Sequence, residues 1–295
     1  MKTIRTAFVV AGLVIIASAL LLTVHVSSNA LEFSRFNTGW NGTSSFFGDI
    51  DRHHETAVYD PSGIASSAGP GLLLIIAPER QPGSQEISAY RAFLARGNTI
   101  ILADDFGTGN KILNGIGSSV SILPGNLSSV DREYADPYSV VVYGVSNGSF
   151  VTTGTKLVTN RPAAIDGGTP LLMSSALSWI DTNGDKKINS DEAMGNFAVM
   201  VHENVGAGNL IVLSDPSIFT NAMYDAPENQ DNRNLIHAVV KNNGTIFLDQ
   251  MNSRTADAEG ISAIVGGIRS NLGFNVLFVF ILVLVVMLAW RYRIL

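Results

Sequence analysis

Leu72-Leu73-Leu74-Ile75-Ile76-Ala77 is a run of six apolar residues closed by Pro78. A run of that length, apolar on both faces, fits a strand buried on both sides of a sheet. Ser84 suits a helix N-cap, and Ile87, Tyr90 and Leu94 then fall on one helical face before Gly97, a suitable stop. Thr99 to Ala103 reads as a second strand. Asp104-Asp105-Phe106-Gly107-Thr108-Gly109 follows as a loop, Ile112, Leu113 and Ile116 mark a short helix, and Ser119 to Leu123 a third strand. This βαβαβ order predicts parallel strands joined by right-handed crossovers, an α/β sheet with helices on both faces.

Further elements follow the same logic. A strand is expected near Thr56 to Tyr59, extended structure over Tyr138 to Val158, and buried strands at Leu210 to Leu213 and Thr245 to Leu248. Asp215-Pro216 reads as the N-cap and first position of a helix bearing Ile218, Phe219 and Ala222, and Asn234 to Val240 as a further helix.

The 295 residues carry 19 Lys plus Arg, 25 Asp plus Glu and a formal charge of −6. With 46% hydrophobic and 15% charged residues the chain is not disordered, and it lacks the basic surface of a nucleic-acid binder. No cysteine is present, which excludes thiol catalysis, disulfides and thiolate metal sites. The hydrophobic excess sits at the ends. Residues 6–26 and 270–290 carry no fixed charge and are each long enough to span a bilayer as a helix. Lys2 and Arg5 precede the first, and Arg291 and Arg293 follow the second, which predicts both termini in the cytoplasm and the main domain outside, at the cell membrane. A cleaved signal peptide ending near Ser28-Asn29-Ala30 is the rival reading of the first segment. The expected organisation is a tip (1–5), a span or signal anchor (6–26), an extracytoplasmic α/β domain (27–250), a stalk (251–269), a span (270–290) and a tail (291–295). Four glycosylation sequons, at Asn41, Asn126, Asn147 and Asn243, fit an exposed domain.

The strongest chemical motif is Asp181-Thr182-Asn183-Gly184-Asp185-Lys186-Lys187-Ile188-Asn189-Ser190-Asp191-Glu192. It matches a twelve-residue calcium loop, with Asp181, Asn183 and Asp185 at positions 1, 3 and 5, the Lys187 carbonyl at 7, Asn189 at 9 and Glu192 at 12. A structural Ca2+ is the one cofactor expected, with no nucleotide or redox group. Lys186 stands where such loops carry glycine, and the alternative is an Asx-rich turn. Gly144-Val145-Ser146-Asn147-Gly148 matches a nucleophile elbow, with His202 or His237 as base. The residues after it, Phe150 to Thr155, make a poor helix, whereas the elbow requires one. Asp104, Asp105 and Gly107, with Ser214 and Asp215, lie at predicted carboxyl ends of parallel strands, where open α/β sheets bind ligands. His53 and His54 read as a polar loop, His237 as a packed helix residue and Trp40 as a packing anchor.

Several phrases together carry a family resemblance: Asn37-Thr38-Gly39-Trp40-Asn41-Gly42-Thr43, the stretch from Ala95 to Gly107, Ser178-Trp179-Ile180-Asp181, Leu213 to Asn221, and Asp231-Asn232-Arg233. Over residues 36–250 the chain resembles an uncharacterised, mostly archaeal family of membrane-anchored proteins whose domain of unknown function, number 4350, is similar in fold to class I glutamine amidotransferases. The resemblance implies a flavodoxin-like sheet. It does not imply amidotransferase activity, since the cysteine nucleophile is missing. It implies a non-catalytic binding or assembly domain with a membrane-protein partner, such as a transport system or an ATPase-linked maturation complex. The expected function is thus a non-enzymatic component of a membrane complex in contact with the lipid bilayer, with a serine hydrolase using Ser146 or a calcium-responsive module as alternatives.

Overall fold

The computed structural model describes Gly12 and residues 28–50, 55–65, 70–131, 133–146, 151–226, 230–241, 244–253 and 255. The strands are β1 (Thr56–Val58), β2 (Gly71–Ile76), β3 (Thr99–Ala103), β4 (Ser121–Ile122), β5 (Asn126–Ser129), β6 (Val141–Gly144), β7 (Lys156–Val158), β8 (Ile165–Asp166), β9 (Thr169–Ser174), β10 (Ser178–Asp181), β11 (Met194–Gly195), β12 (Ala198–Val205), β13 (Gly208–Leu213) and β14 (Thr245–Asp249). The helices are α1 (Ser44–Ile50), α2 (Ser62–Ala65), α3 (Ser84–Ala95), α4 (Gly109–Ile116), α5 (Asn221–Tyr224) and α6 (Gln230–Lys241), with a 3-10 turn at Pro216–Phe219.

The main sheet runs β1-β14-β2-β3-β13-β12-β9-β6-β7, with β8 joining β12 to β4. From β1 to β13 neighbouring strands are parallel. From β13 to β7 they are antiparallel. A second sheet, β11-β10-β5, is antiparallel throughout. The expected flavodoxin-like, Rossmann-like parallel sheet is therefore corrected to a mixed sheet with few helices. The cause is connection length. A parallel pair needs a crossover of a dozen or more residues, but β12 and β13 are joined by Gly206-Ala207 alone, with Gly206 at φ +63°. Only Ser175–Leu177 separate β9 from β10. Among the described residues no α-helix lies between Ile116 and Asn221.

The apolar runs alternate between two cores. Leu72, Leu74, Ile76, Ile101, Ile211 and Leu213 pack beneath α1, Ile218, Phe219 and α6. Leu73, Ile75, Ile100, Leu102, Leu210 and Val212 pack beneath α2, α3 and α4. Burial on both faces explains why β2 is apolar throughout and why β3 is polar only at Thr99. Gly83, not Ser84, precedes α3, and its N–H donates to Glu86 Oε2 (2.5 Å).

Residues Glu32–Ala256 form one compact unit. It includes part of the expected stalk: Asn252 Nδ2 donates to the buried Tyr90 hydroxyl (2.8 Å) and Ile76 N–H to Ser253 Oγ (3.1 Å). Apart from Gly12, the segments 6–26 and 270–290 lie outside the described residues. No helix among the described residues is long and apolar enough to cross a membrane. The expected two-span membrane protein, with cytoplasmic termini and an external domain, is corrected on that finding.

Candidate functional site

The parallel strands end together at one rim, and the loops that follow them build a cleft. Directly after β3, Asp104 turns inward and is almost wholly buried. Its Oδ1 accepts the N–H of Gly107 (3.0 Å) and its Oδ2 that of Gly109 (2.7 Å). A Cβ on Gly107 would sit 2.4 Å from Pro78 O, and one on Gly109 2.5 Å from Asp104 Oδ2, so both glycines are required by this close approach. Burial pushes the Asp104 carboxyl up to about 7, against the two N–H bonds, and neighbouring Asp105 adds to the rise. Burial also raises Asp105, with Glu32 adding to the rise and Arg161 opposing it.

After β13 the same logic repeats. Ser214 Oγ donates to Ala163 O (2.6 Å). Asp215 caps the 3-10 turn by accepting Ser217 N–H (2.8 Å) and also accepts Asn160 N–H (2.7 Å). Its carboxyl is raised to about 7 by burial. Of the five residues expected here, Asp104, Asp105 and Gly107 line the cleft. Ser214 and Asp215 do not reach it. They fix the segment that carries Asn160 and Arg161.

The cleft has a volume of about 510 Å3. Phe33 (φ +57°), Ala77 (φ +47°) and Arg161 (φ +58°) all line it. Among the described residues only one other non-glycine, Lys186, has a positive φ. Such backbone costs of order 1–3 kcal/mol per residue and gathers at functional sites. Sequence reading misses Arg161, Asn160, Phe33, Glu32 and Asn126 here.

The loop 181–192 links β10 to β11. Asp181 accepts the N–H groups of Gly184 (2.7 Å) and Lys186 (2.8 Å) and the Tyr138 hydroxyl (2.8 Å). Asn183 accepts Asp185 N–H and Asp185 accepts Lys187 N–H. Glu192 accepts Thr182 N–H (2.9 Å) and Asn189 N–H (3.1 Å), while Asn189 Nδ2 donates to Asp185 Oδ2 (3.3 Å). The loop is thus closed on its own backbone. Among the described residues no group of three or more His, Asp or Glu is placed to hold a metal ion. A hollow of about 690 Å3 lies beside this loop, with Trp179, Val130 and Ile188 on its wall.

The hydrolase residues are not brought together by hydrogen bonds. Ser146 follows β6, and its Oγ has no partner among the described residues. His202 Nε2 pairs with Asn209 Oδ1 (3.1 Å), and His237 Nε2 with the Tyr224 hydroxyl (3.2 Å). His53 and His54 lie outside the described residues. Trp40 is 72% exposed, so it is no packing anchor. The phrases around it serve folding instead: Asn221 N–H donates to Gly42 O (2.7 Å), and Asn221 Nδ2 to Gly39 O (2.7 Å) and Asn37 O (3.2 Å).

Comparison with known proteins places these features in context. The profile of the domain of unknown function DUF4350 matches residues 35–240. No curated protein matches the chain. The mmIFT52 N-terminal domain is similar in fold, with 14% identity and a TM-score of 0.50 over 68% of this chain and 91% of that one. Two β-galactosidases are more remote. The enzyme from Rahnella sp. R3 shares 11% identity (TM-score 0.36, 58% of this chain, 22% of that chain). That from Bacillus circulans sp. alkalophilus shares 10% (TM-score 0.33, 54% and 22%). Likeness this low bears on neither fold nor function.

Proposed function

The chain belongs to the DUF4350 domain family, and from that premise we propose that it is a non-enzymatic binding and assembly domain whose ligand or partner is held in the rim cleft. One observation carries this reading: among the described residues, three of the four non-glycine residues with left-handed backbone, drawn from three separate segments, converge on one cleft. Each is pinned by a backbone hydrogen bond, Phe33 N–H to Asn41 O (2.9 Å), Ala77 N–H to Ala103 O (2.8 Å) and Arg161 N–H to Tyr138 O (2.9 Å). Strain gathered at one place from three segments supports a preorganised recognition surface. Two of its polar groups are already engaged within the fold: Asp104 is committed to two backbone N–H groups and Ser217 donates to Asn160 O, so neither is free to attack a ligand. Ser146 Oγ has no hydrogen-bonded base among the described residues, which weighs against the hydrolase reading.

The test is a thermal-shift screen of small molecules on the full chain and on an Asp105→Ala/Arg161→Ala variant. Ligands that raise the Tm of the wild type and not of the variant are expected. Ligands that stabilise both equally would overturn the assignment of the cleft. Ester or peptide hydrolysis lost on Ser146→Ala would overturn the non-enzymatic reading.

A second reading, a calcium-responsive module, is favoured by Lys186. It holds φ +60° at the loop position that calcium sites give to glycine. Its ammonium is drawn out of the loop to Asp136 (3.0 Å) and over the Tyr138 ring (4.7 Å), so its charge does not oppose an ion. Calcium would have to take the Glu192 carboxylate from Thr182 and Asn189. Millimolar calcium is expected to raise the Tm of the wild type and not of Glu192→Gln. No shift in the wild type makes the loop an Asx-closed turn.

A further inference from the structure

We infer that the rim cleft takes a neutral polyhydroxylated ligand, a saccharide, an assignment that rests on the binding role proposed above and specifies its chemistry. Several hydrogen-bonding groups of the cleft are not engaged by other described residues. Asp105 Oδ1 accepts the N–H of Phe106 (2.6 Å), but among the described residues its Oδ2 accepts nothing. The Glu32 carboxylate and the side-chain amides of Asn126 and Asn160 line the same cleft and make no hydrogen bond among the described residues. The Arg161 guanidinium rests over the Tyr138 ring (5.2 Å) and likewise makes no hydrogen bond or ion pair there. Beside Asp104 and Glu79, two carboxylates, two amides and one guanidinium with hydrogen-bonding capacity left open among the described residues thus line one volume of about 510 Å3, within the range of small-ligand sites. Phe106 stands at the lip with 54% of its surface exposed.

The mixture selects the ligand. Carboxylates only accept, guanidinium only donates, and amides do both. A phosphate or other anion would meet Asp105 and Glu32 as like charges. A simple amine would satisfy those carboxylates and leave Arg161 and both amide NH2 groups unmatched. An apolar ligand would desolvate all five groups without a partner. A hydroxyl carries one donor and two acceptor lone pairs, so a ring bearing several hydroxyls can donate to Asp105 and Glu32 while accepting from Arg161, Asn126 and Asn160. The apolar C–H face of such a ring is complementary to the exposed face of Phe106. The raised Asp105 carboxyl supports this, because its burial is unmatched by any hydrogen bond from another side chain.

The full chain is applied to an array of neutral glycans, and each responding glycan is titrated by calorimetry against wild type, Asp105→Ala, Phe106→Ala and the exposed-helix control Gln85→Ala. Circular dichroism checks that each variant is folded. Saturable binding that is at least tenfold weaker in Asp105→Ala and in Phe106→Ala, and unchanged in Gln85→Ala, is expected. Glycan binding that neither cleft variant alters overturns the assignment, as does the absence of any glycan response. Glycine and butylamine are titrated in parallel. If either binds and Asp105→Ala abolishes it, the saccharide assignment falls while the cleft remains a binding site. If no compound of any class responds to Asp105→Ala, both readings fall.

Discussion

At the residue scale, the rim loop is governed by the space around Asp104. The buried carboxylate can reach two N–H groups only because Gly107 and Gly109 lack a Cβ. Gly109→Ala forces a methyl to 2.5 Å from Asp104 Oδ2, and overpacking of this kind costs about 1–3 kcal/mol. Gly48, in the exposed part of α1, gives the opposite case, since a Cβ there meets nothing within 4 Å. Gly48→Ala is expected to stabilise by about 0.5–1 kcal/mol through helix propensity and reduced unfolded-state entropy. Urea denaturation of both variants checks the pair. Equal effects of one sign would show that Gly109 is kept for something other than the Asp104 contact.

At the element scale, the exposed edge of β7 is closed by a side chain instead of a strand. Asn232 on α6 is fully buried, donates to Val158 O (2.8 Å) and accepts from Val158 N–H (3.1 Å). This mimics a ladder pair and removes a free edge that could pair with another chain. Asn232→Ala leaves two buried backbone groups unpaired and is expected to cost about 2 kcal/mol or more, with faster amide exchange at Val158 as the local signature. Unchanged exchange there would show that α6 does not close the edge. Such contacts mark what sequence reading reaches and what it does not. β2, β3, β13 and β14 were legible because strands buried on both faces announce themselves as unbroken apolar runs. β8 and β11 have two residues each and carry no periodicity to read, and of the strand expected over Ser119 to Leu123 only the two residues of β4 are extended. Direction was also hidden: the apolar run of β12 looks the same whether its neighbour is parallel or antiparallel, and only the two-residue link to β13 settles it. Within the site, Asp104, Asp105 and Gly107 were legible from their place after β3. Arg161 was not, because it comes to the cleft through Asn160 N–H on Asp215, a contact between residues 55 apart in sequence.

At the scale of the whole molecule, the parallel half gathers buried acids at one end. Asp104 after β3, Asp215 after β13 and Asp249 at the end of β14 are all raised by burial, Asp104 and Asp215 to about 7. Elsewhere acids are held below their usual range. Asp49 is lowered by the Tyr224 and Arg233 bonds, which outweigh its burial, and Glu203 by Ser118 and Ser119, again against burial. The two groups act in opposite directions on stability. Between the unfolded value near 3.8 and about 7, folded Asp104 and Asp215 hold protons that the unfolded chain has released. Stability therefore falls as pH rises through that window, by at most about 1.4 kcal/mol per pH unit for each carboxyl, and levels off above it. The lowered acids contribute stability that is present above their unfolded values and lost as pH falls through their folded ones. The protein is thus expected to be most stable near pH 4–5 and to lose stability toward pH 7. Asp215→Asn removes one titrating group and should flatten that decline, at the cost of setting an amide NH2 against either Asn160 N–H or Ser217 N–H. Denaturation midpoints at pH 5 and pH 7.5 decide the matter: a wild type more stable at 7.5 would mean that Asp104 and Asp215 are ionised in the fold and held so by their N–H donors and nearby counter-charge against the cost of burial.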